Sequence, residues 1–188
     1  MHESSIIALC GKGGVGKTSI SAMMVGLLAR ANGGRVLAID ADPAVGLAAA
    51  LGLTVRRSVD DIRKDLIANI RQGRGEDARE TARRIDYELF DALVEGDGFS
   101  FLAIGRPEDE GCYCRVNSLL KDIISDLAVK FDIVLIDGEA GVEQINRRVM
   151  KNVDCLVLVS DTSAMGLRVA ETIAGVASVY RAVDFKRM

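Results

Sequence analysis

The sequence predicts an α/β protein: a mostly parallel, twisted sheet with helices on both faces. Three observations carry that prediction. Short apolar runs alternate with longer helical patterns along the 188 residues. The apolar runs are unbroken, as strands buried on both faces require. The first run leads directly into a glycine-rich loop that opens a helix, the strand–loop–helix unit from which parallel sheets are built.

Strand-like runs fall at Ile6–Cys10, Val36–Ile39, Phe99–Ile104, Ile133–Ile136 and Cys155–Val159. Helical patterns lie between them at Ser19–Ala31, Asp60–Gln72, Glu76–Val94, Asn117–Val129 and Val142–Lys151, with a last one over 164–182. The length suits a single domain over residues 1–188 with a sizeable core. The stretch from Val55 to Asp97 differs, mixing acids and bases with two apolar stripes: Ile62, Leu66, Ile70 and Ile85, Leu89, Leu93. It reads as two amphipathic helices inserted between the second and third strands. Asp60–Lys64 and Glu80–Arg84 are favourable i,i+4 pairs on them. Their polar face is either simply solvated or a partner-docking surface.

Between the first strand and first helix stands Gly11-Lys12-Gly13-Gly14-Val15-Gly16-Lys17-Thr18, followed by Ser19. It fits the phosphate-loop pattern of Gly, four residues, Gly-Lys-Thr/Ser. Glycines let the backbone curl so that successive N–H groups point at phosphate oxygens, and the positive end of the helix adds to that field. In such a site Lys17 reaches the β- and γ-phosphates of ATP and the Thr18 hydroxyl ligates Mg²⁺. The bland alternative is a glycine-rich turn with no ligand.

Ligands of parallel sheets sit beyond the carboxyl ends of the strands. The second run ends Ile39-Asp40-Ala41-Asp42-Pro43 and the fourth ends Ile136-Asp137-Gly138-Glu139-Ala140-Gly141. Asp137 suits the acid that holds Mg²⁺ through water, and Gly141 allows a turn that senses the γ-phosphate. Asp42 is placed to orient the attacking water, and Asp40 to assist around the metal. The plainer reading of each aspartate is a turn residue or helix cap.

Composition narrows the field. A net charge of −3 argues against a general nucleic-acid binder, and no Trp with 4% aromatics argues against a base-stacking platform. No signal peptide or membrane span is visible, so no membrane partner and a cytoplasmic location are expected. The four cysteines then read as thiols or metal ligands rather than disulfides. Cys10 and Cys155 fall in apolar runs and read as core residues, while His2 sits at a terminus and is a poor ligand.

Lys12 within the loop resembles the signature lysine of the deviant Walker-A ATPases, the group of MinD, ParA and the nitrogenase iron protein. Asp40-Ala41-Asp42-Pro43 resembles their switch I and Asp137-Gly138-Glu139-Ala140-Gly141 their switch II. The resemblance implies a P-loop NTPase that forms a homodimer on ATP, with Lys12 contacting the phosphates held by the other subunit. A second segment, Gly111-Cys112-Tyr113-Cys114-Arg115, resembles the Cys-x-Cys segment of the CooC-type ATPases. Those assist nickel insertion into carbon monoxide dehydrogenase. The resemblance therefore implies a client metalloenzyme of that kind and Ni²⁺ or Zn²⁺ bound by Cys112 and Cys114 across the dimer. It also implies a further strand after the last helical pattern. The chain reaches Arg187-Met188 before one, so the C-terminal part of the family fold is expected to be absent.

Two thiolates do not complete a tetrahedral or square-planar site, but a two-fold dimer supplies four. An extended or turning segment puts both sulfurs on one side, and Pro107 and Gly111 favour a loop or a first helical turn. The plainer reading is a pair of ordinary buried or inert cysteines. Three functions stay open: an ATPase driving metal delivery, a metal or iron–sulfur carrier that uses ATP as a conformational switch, and a positioning ATPase of the MinD/ParA type.

Overall fold

A computed structural model describes residues 4–31, 34–72, 78–105, 114–138 and 153–179. In chain order the elements are β1 (Ser5–Gly11), α1 (Lys17–Arg30), β2 (Val36–Asp40), α2 (Gly46–Ala50), α3 (Val59–Arg71), α4 (Ala78–Asp91), β3 (Val94–Glu95), β4 (Phe99–Ala103), α5 (Cys114–Ala128), β5 (Ile133–Asp137), β6 (Cys155–Val159) and α6 (Ala164–Val179). The expected helix over Val142–Lys151 lies outside the described residues.

The strands form one six-stranded sheet in the order β3-β4-β2-β5-β1-β6. All pair in parallel except β3, which runs antiparallel along β4. Parallel pairing brings the carboxyl ends of β1, β2, β4, β5 and β6 to one edge. There Asp40 is opposite Asp137, Leu9 is opposite Asp137, and Gly11 is opposite Val159.

Side chains alternate between the two faces as the pleat requires. Ala8, Cys10, Leu37, Ile39, Val134 and Ile136 join the core shared with α3, α4 and α5. Leu9, Ala38 and Leu135 join the core under α1 and α2, with Val25, Leu47 and Phe101. Asp40 and Asp137 have the parity of Ala38 and Leu135, so both carboxylates face α1 and α2. That parity decides where the site is built.

The insertion is a helical pair packed on the opposite face. A Ser58/Asp61 capping box starts α3, which is why the helix begins at Val59. Its base is fixed to the end of β4, where the Asp60 amide donates to the Ile104 carbonyl at 2.9 Å. Asp60 is buried and pairs with Arg63 at 2.8 Å and Lys64 at 3.2 Å. Arg57 bridges Asp65 of α3 and Glu88 of α4.

Three details depart from the expected pattern. Ile70 is 52% exposed, while Ile67 is buried beside Ile62 and Leu66. A step of four residues overshoots a helical turn by about 40°, so the third residue of that stripe rotates off the core. The helix expected to reach Val94 stops at Asp91, and Val94 instead starts the short strand β3. Finally, α2 was not anticipated, because five residues of Gly-Leu-Ala-Ala-Ala are too few to display a period.

Candidate functional site

Gly11 ends β1 where that strand lies against β6. A Cβ there would fall 2.0 Å from the Val159 carbonyl oxygen, so only glycine permits the approach. The chain then curls over the sheet edge and enters α1 through Gly16 at φ 91°. Gly16 offers no side-chain cap to the helix, leaving first-turn amides open to an anion. At Gly13, Gly14 and Gly16 a Cβ would meet nothing within 4 Å, and all three are exposed. The loop is thus an open cradle walled by backbone.

Lys17 is only 8% exposed and folds back over the loop, its Nζ donating to the Lys12 carbonyl at 3.2 Å. One residue on, the half-buried Thr18 faces the start of α2, where a Cβ on Gly46 would sit 3.6 Å from its methyl group. Ser19 is exposed in the same first turn, and Val15 is half-buried in the loop.

Asp137 lies beneath this loop, 1% exposed. Its Oδ1 accepts a hydrogen bond from Ser21 Oγ at 2.8 Å. Its Oδ2 is buried with no hydrogen-bond partner among the described residues. Burial raises its pKa, the Thr18 and Ser21 hydroxyls and the Lys17 ammonium pull it back, and the Asp42 charge pushes it up again. A buried carboxylate with one oxygen left over, beside a lysine and a threonine hydroxyl, fits a magnesium ion and its waters as the missing partner.

Asp40 differs from its neighbour. Fully buried, it accepts the Asp42 amide at 3.1 Å on Oδ1 and the Leu47 amide at 2.8 Å on Oδ2. Burial outweighs these bonds and lifts its pKa to about 6. Asp42 is half-buried and accepts the Ala44 amide at 2.8 Å on Oδ1.

Lys12 bends outward to Asp161, in the loop between β6 and α6, with Nζ 3.4 Å from Oδ2. Both side chains are over a third exposed, so the pair is weak and easily exchanged. Asp161 is held below the ordinary carboxylate range chiefly by Ser163, whose hydroxyl and amide both donate to it, and secondarily by Lys12.

The structure therefore gathers Gly11–Thr18, Asp40, Asp42 and Asp137 at one edge of the sheet. Cys112 lies outside the described residues; Cys114 is the first described residue of α5. Among the described residues no group of three or more His, Cys, Asp or Glu is placed to hold a metal ion. Cys10 is a core thiol, pushed up to about 12 by burial, and Cys155 is half-buried. Sequence reasoning missed Ser21 and Asp161. Ser21 was findable, since it follows Lys17 by four residues and helical spacing puts both on one face. No local signal marks Asp161. No helix among the described residues is long and apolar enough to cross a membrane.

The comparisons agree with this geometry. The family model described as "AAA domain" matches residues 4–184. An ATP-binding protein of Methanocaldococcus jannaschii is 38% identical over 176 residues, covering 92% of this chain and 68% of that protein. The carbon monoxide dehydrogenase accessory protein CooC of Rhodospirillum rubrum is 34% identical over 183 residues, covering 91% and 68%. The solved structure of MinD from Pyrococcus horikoshii with Mg-ADP superposes at a TM-score of 0.60 with 20% identity, covering 95% of this chain and 66% of that one. With the sheet order and the phosphate loop in place, these matches make the chain a member of the AAA domain family, with the P-loop NTPase fold of its MinD and ParA structural neighbours.

Proposed function

We propose that residues 1–188 form one ATPase domain that hydrolyses ATP to ADP and phosphate, closes as a homodimer on ATP or metal, and assists metal insertion into a client metalloenzyme. The observation that carries the ATPase reading is Asp137: buried, flanked by Ser21, Thr18 and Lys17, with Oδ2 unpartnered among the described residues. Gly11, Gly13, Gly14, Val15, Gly16 and Ser19 offer backbone amides to the phosphates. Lys17 leaves the Lys12 carbonyl to meet the β- and γ-oxygens. Thr18 and Asp137 would hold magnesium, which would supply neutralisation of the charge developing on the phosphates. Asp42 orients the attacking water. Lys12 exchanges Asp161 for phosphates bound by the second subunit, a move the weakness of that exposed pair permits.

The likeness to CooC supports a nickel-delivery role for the dimer, toward carbon monoxide dehydrogenase or a related enzyme. Cys112 and Cys114 of two subunits then supply four thiolates to Ni²⁺ or Zn²⁺, the cargo of the reaction. Gel filtration with and without ATP and Ni²⁺, with metal analysis of the dimer peak, tests this. The expected result is an ATP- or Ni²⁺-dependent dimer carrying one metal per two chains. A Cys112→Ala/Cys114→Ala protein that binds the same amount of nickel overturns the metal role. It leaves the ATPase reading standing.

A further inference from the structure

The loop that joins β2 to α2 is held by the side chain of the strand residue that leads into it. Asp40 is the last residue of β2, and its backbone is pinned on both sides. The Ile104 amide donates to its carbonyl at 2.9 Å, and the next amide, Ala41, donates to the Asp137 carbonyl at 2.9 Å. Its carboxylate then reaches forward along the chain. Oδ1 takes the amide of Asp42 and Oδ2 takes the amide of Leu47, seven residues on. Both oxygens are occupied, and the side chain is fully buried.

Between these two amides the backbone is tightly wound. Asp42 accepts from Ala44 through its side chain and from Val45 through its carbonyl, at 2.8 and 3.0 Å. Val45 is left at φ 51°, ψ 42°, the one non-glycine residue with positive φ among those described. A β-branched residue in the left-handed region persists only where its surroundings impose it. The Leu47 amide bonded to Asp40 lies just beyond it, and a Cβ on the intervening Gly46 would approach the Thr18 methyl at 3.6 Å. The charges bearing on Asp40 are those of Asp137 on β5 and Asp42 on its own loop, both anionic. A buried carboxylate among anions has no ionic reason to be there. What it accomplishes is the closure of a loop.

We infer that Asp40 is a positioning residue: its two oxygens latch the 41–46 loop so that Asp42 is held within electrostatic range of Asp137 and the phosphate loop. Each oxygen accepts one of the loop's amides while the latch is shut. Left-handed Val45 opposes the latch, so the loop has a built-in tendency to release when Asp40 lets go. This rests on the reading of Asp42 as the group that orients water, and the experiment separates the two.

Amide hydrogen exchange is measured on the nucleotide-free protein, and kcat and KM for ATP on the same samples, for wild type, Asp40→Asn, Asp40→Ala and Asp40→Asn/Val45→Gly. Asp40→Asn keeps one acceptor oxygen and guards against a variant that fails to fold. The latch predicts that exchange at the Leu47 amide accelerates about tenfold or more in the variants while β5 amides stay protected. It predicts a kcat loss of about 10- to 100-fold with KM changed by less than about threefold. Val45→Gly, which removes the opposing strain, recovers part of that kcat in the Asn background. Unchanged exchange at Leu47 overturns the latch, whatever the activity. Faster exchange with an unchanged kcat overturns the positioning role. A wild-type protein that binds ATP without hydrolysing it overturns the proposed function and the purpose given to the latch, while exchange at Leu47 still decides whether the latch exists.

Discussion

The ends of β2 and β5 carry the same residue at paired positions, on the same face of the sheet. Asp40 and Asp137 are opposite one another in the ladder, 0% and 1% exposed, and burial raises the pKa of both. Their partners differ. Asp40 spends both oxygens on backbone amides of its own loop. Asp137 takes the Ser21 hydroxyl of α1 on Oδ1, has the Thr18 hydroxyl and the Lys17 ammonium beside it, and keeps Oδ2 in reserve. Amide partners come from folding and fix a shape. A hydroxyl, a neighbouring lysine and an unfilled lone pair form a place for something to bind. Two identical side chains are thus divided between architecture and chemistry by what surrounds them.

Asp137→Asn breaks the comparison most severely. The amide keeps Oδ1 as an acceptor for Ser21 but loses the charge that a magnesium ion needs. Hydrolysis is expected to fall by about 10²- to 10³-fold. Stability should not fall with it, because burial costs this carboxylate more than the Thr18, Ser21 and Lys17 contacts return. Unfolding free energy should hold or rise by about 1–2 kcal/mol. Steady-state ATPase assays and urea denaturation on one preparation read both quantities. Near wild-type hydrolysis would mean that the reserved oxygen of Asp137 holds no metal.

Acid titration sharpens the comparison from the side of Asp40. Its carboxyl is raised from 3.8 to about 6 in the folded protein. Between those values the folded form keeps a proton that the unfolded form has released. The stabilisation is therefore full below pH 3.8 and is lost as pH rises through about 6. The interval amounts to about 3 kcal/mol at 1.36 kcal/mol per pH unit. Asp137 shifts in the same direction, while Asp61 and Asp161 shift downward and contribute with the opposite sign. Subtraction of an Asp40→Asn profile isolates the one group. Wild-type stability relative to the variant should decline from pH 4 to 7, as read by urea denaturation. Parallel profiles would mean that Asp40 is already ionised throughout.

The sequence revealed the phosphate loop because its geometry demands particular residues. Gly11 has to clear the Val159 carbonyl and Gly16 has to turn left-handed, so the motif is a record of backbone shape. The strands were legible for a similar reason, since burial on both faces leaves unbroken apolar runs. What could not be read was partnership. Nothing local distinguishes Asp40 from Asp137, because the Leu47 amide and the Ser21 hydroxyl reach them only after β2, α2 and α1 have packed. Asp161 met Lys12 across 149 residues of chain. Ile70 falls off the stripe on α3 because α5 and α4, not the spacing alone, choose which side of that helix is covered, and they cover the side of Ile62 and Leu66.

Ser21 offers the smallest and most selective change. It is fully buried, and its hydroxyl donates to Asp137 Oδ1 at 2.8 Å. Ser21→Ala leaves that oxygen without its donor, and a hydrogen bond to a charged group is worth about 1.5–3 kcal/mol. Folding stability should drop by about 1–2 kcal/mol, since Lys17 and Thr18 continue to pull on the same carboxylate. Hydrolysis should fall by less than in Asp137→Asn, because the charge is kept and only its orientation loosens. The decisive measurement is the double-mutant cycle by urea denaturation. In the Asp137→Asn background the same Ser21→Ala change should cost less, as the bond it removes is no longer charge-assisted. Equal costs in the two backgrounds would uncouple Ser21 from Asp137 and reduce it to a packed hydroxyl on α1. The reserved oxygen of Asp137 would then owe its orientation to β5 alone.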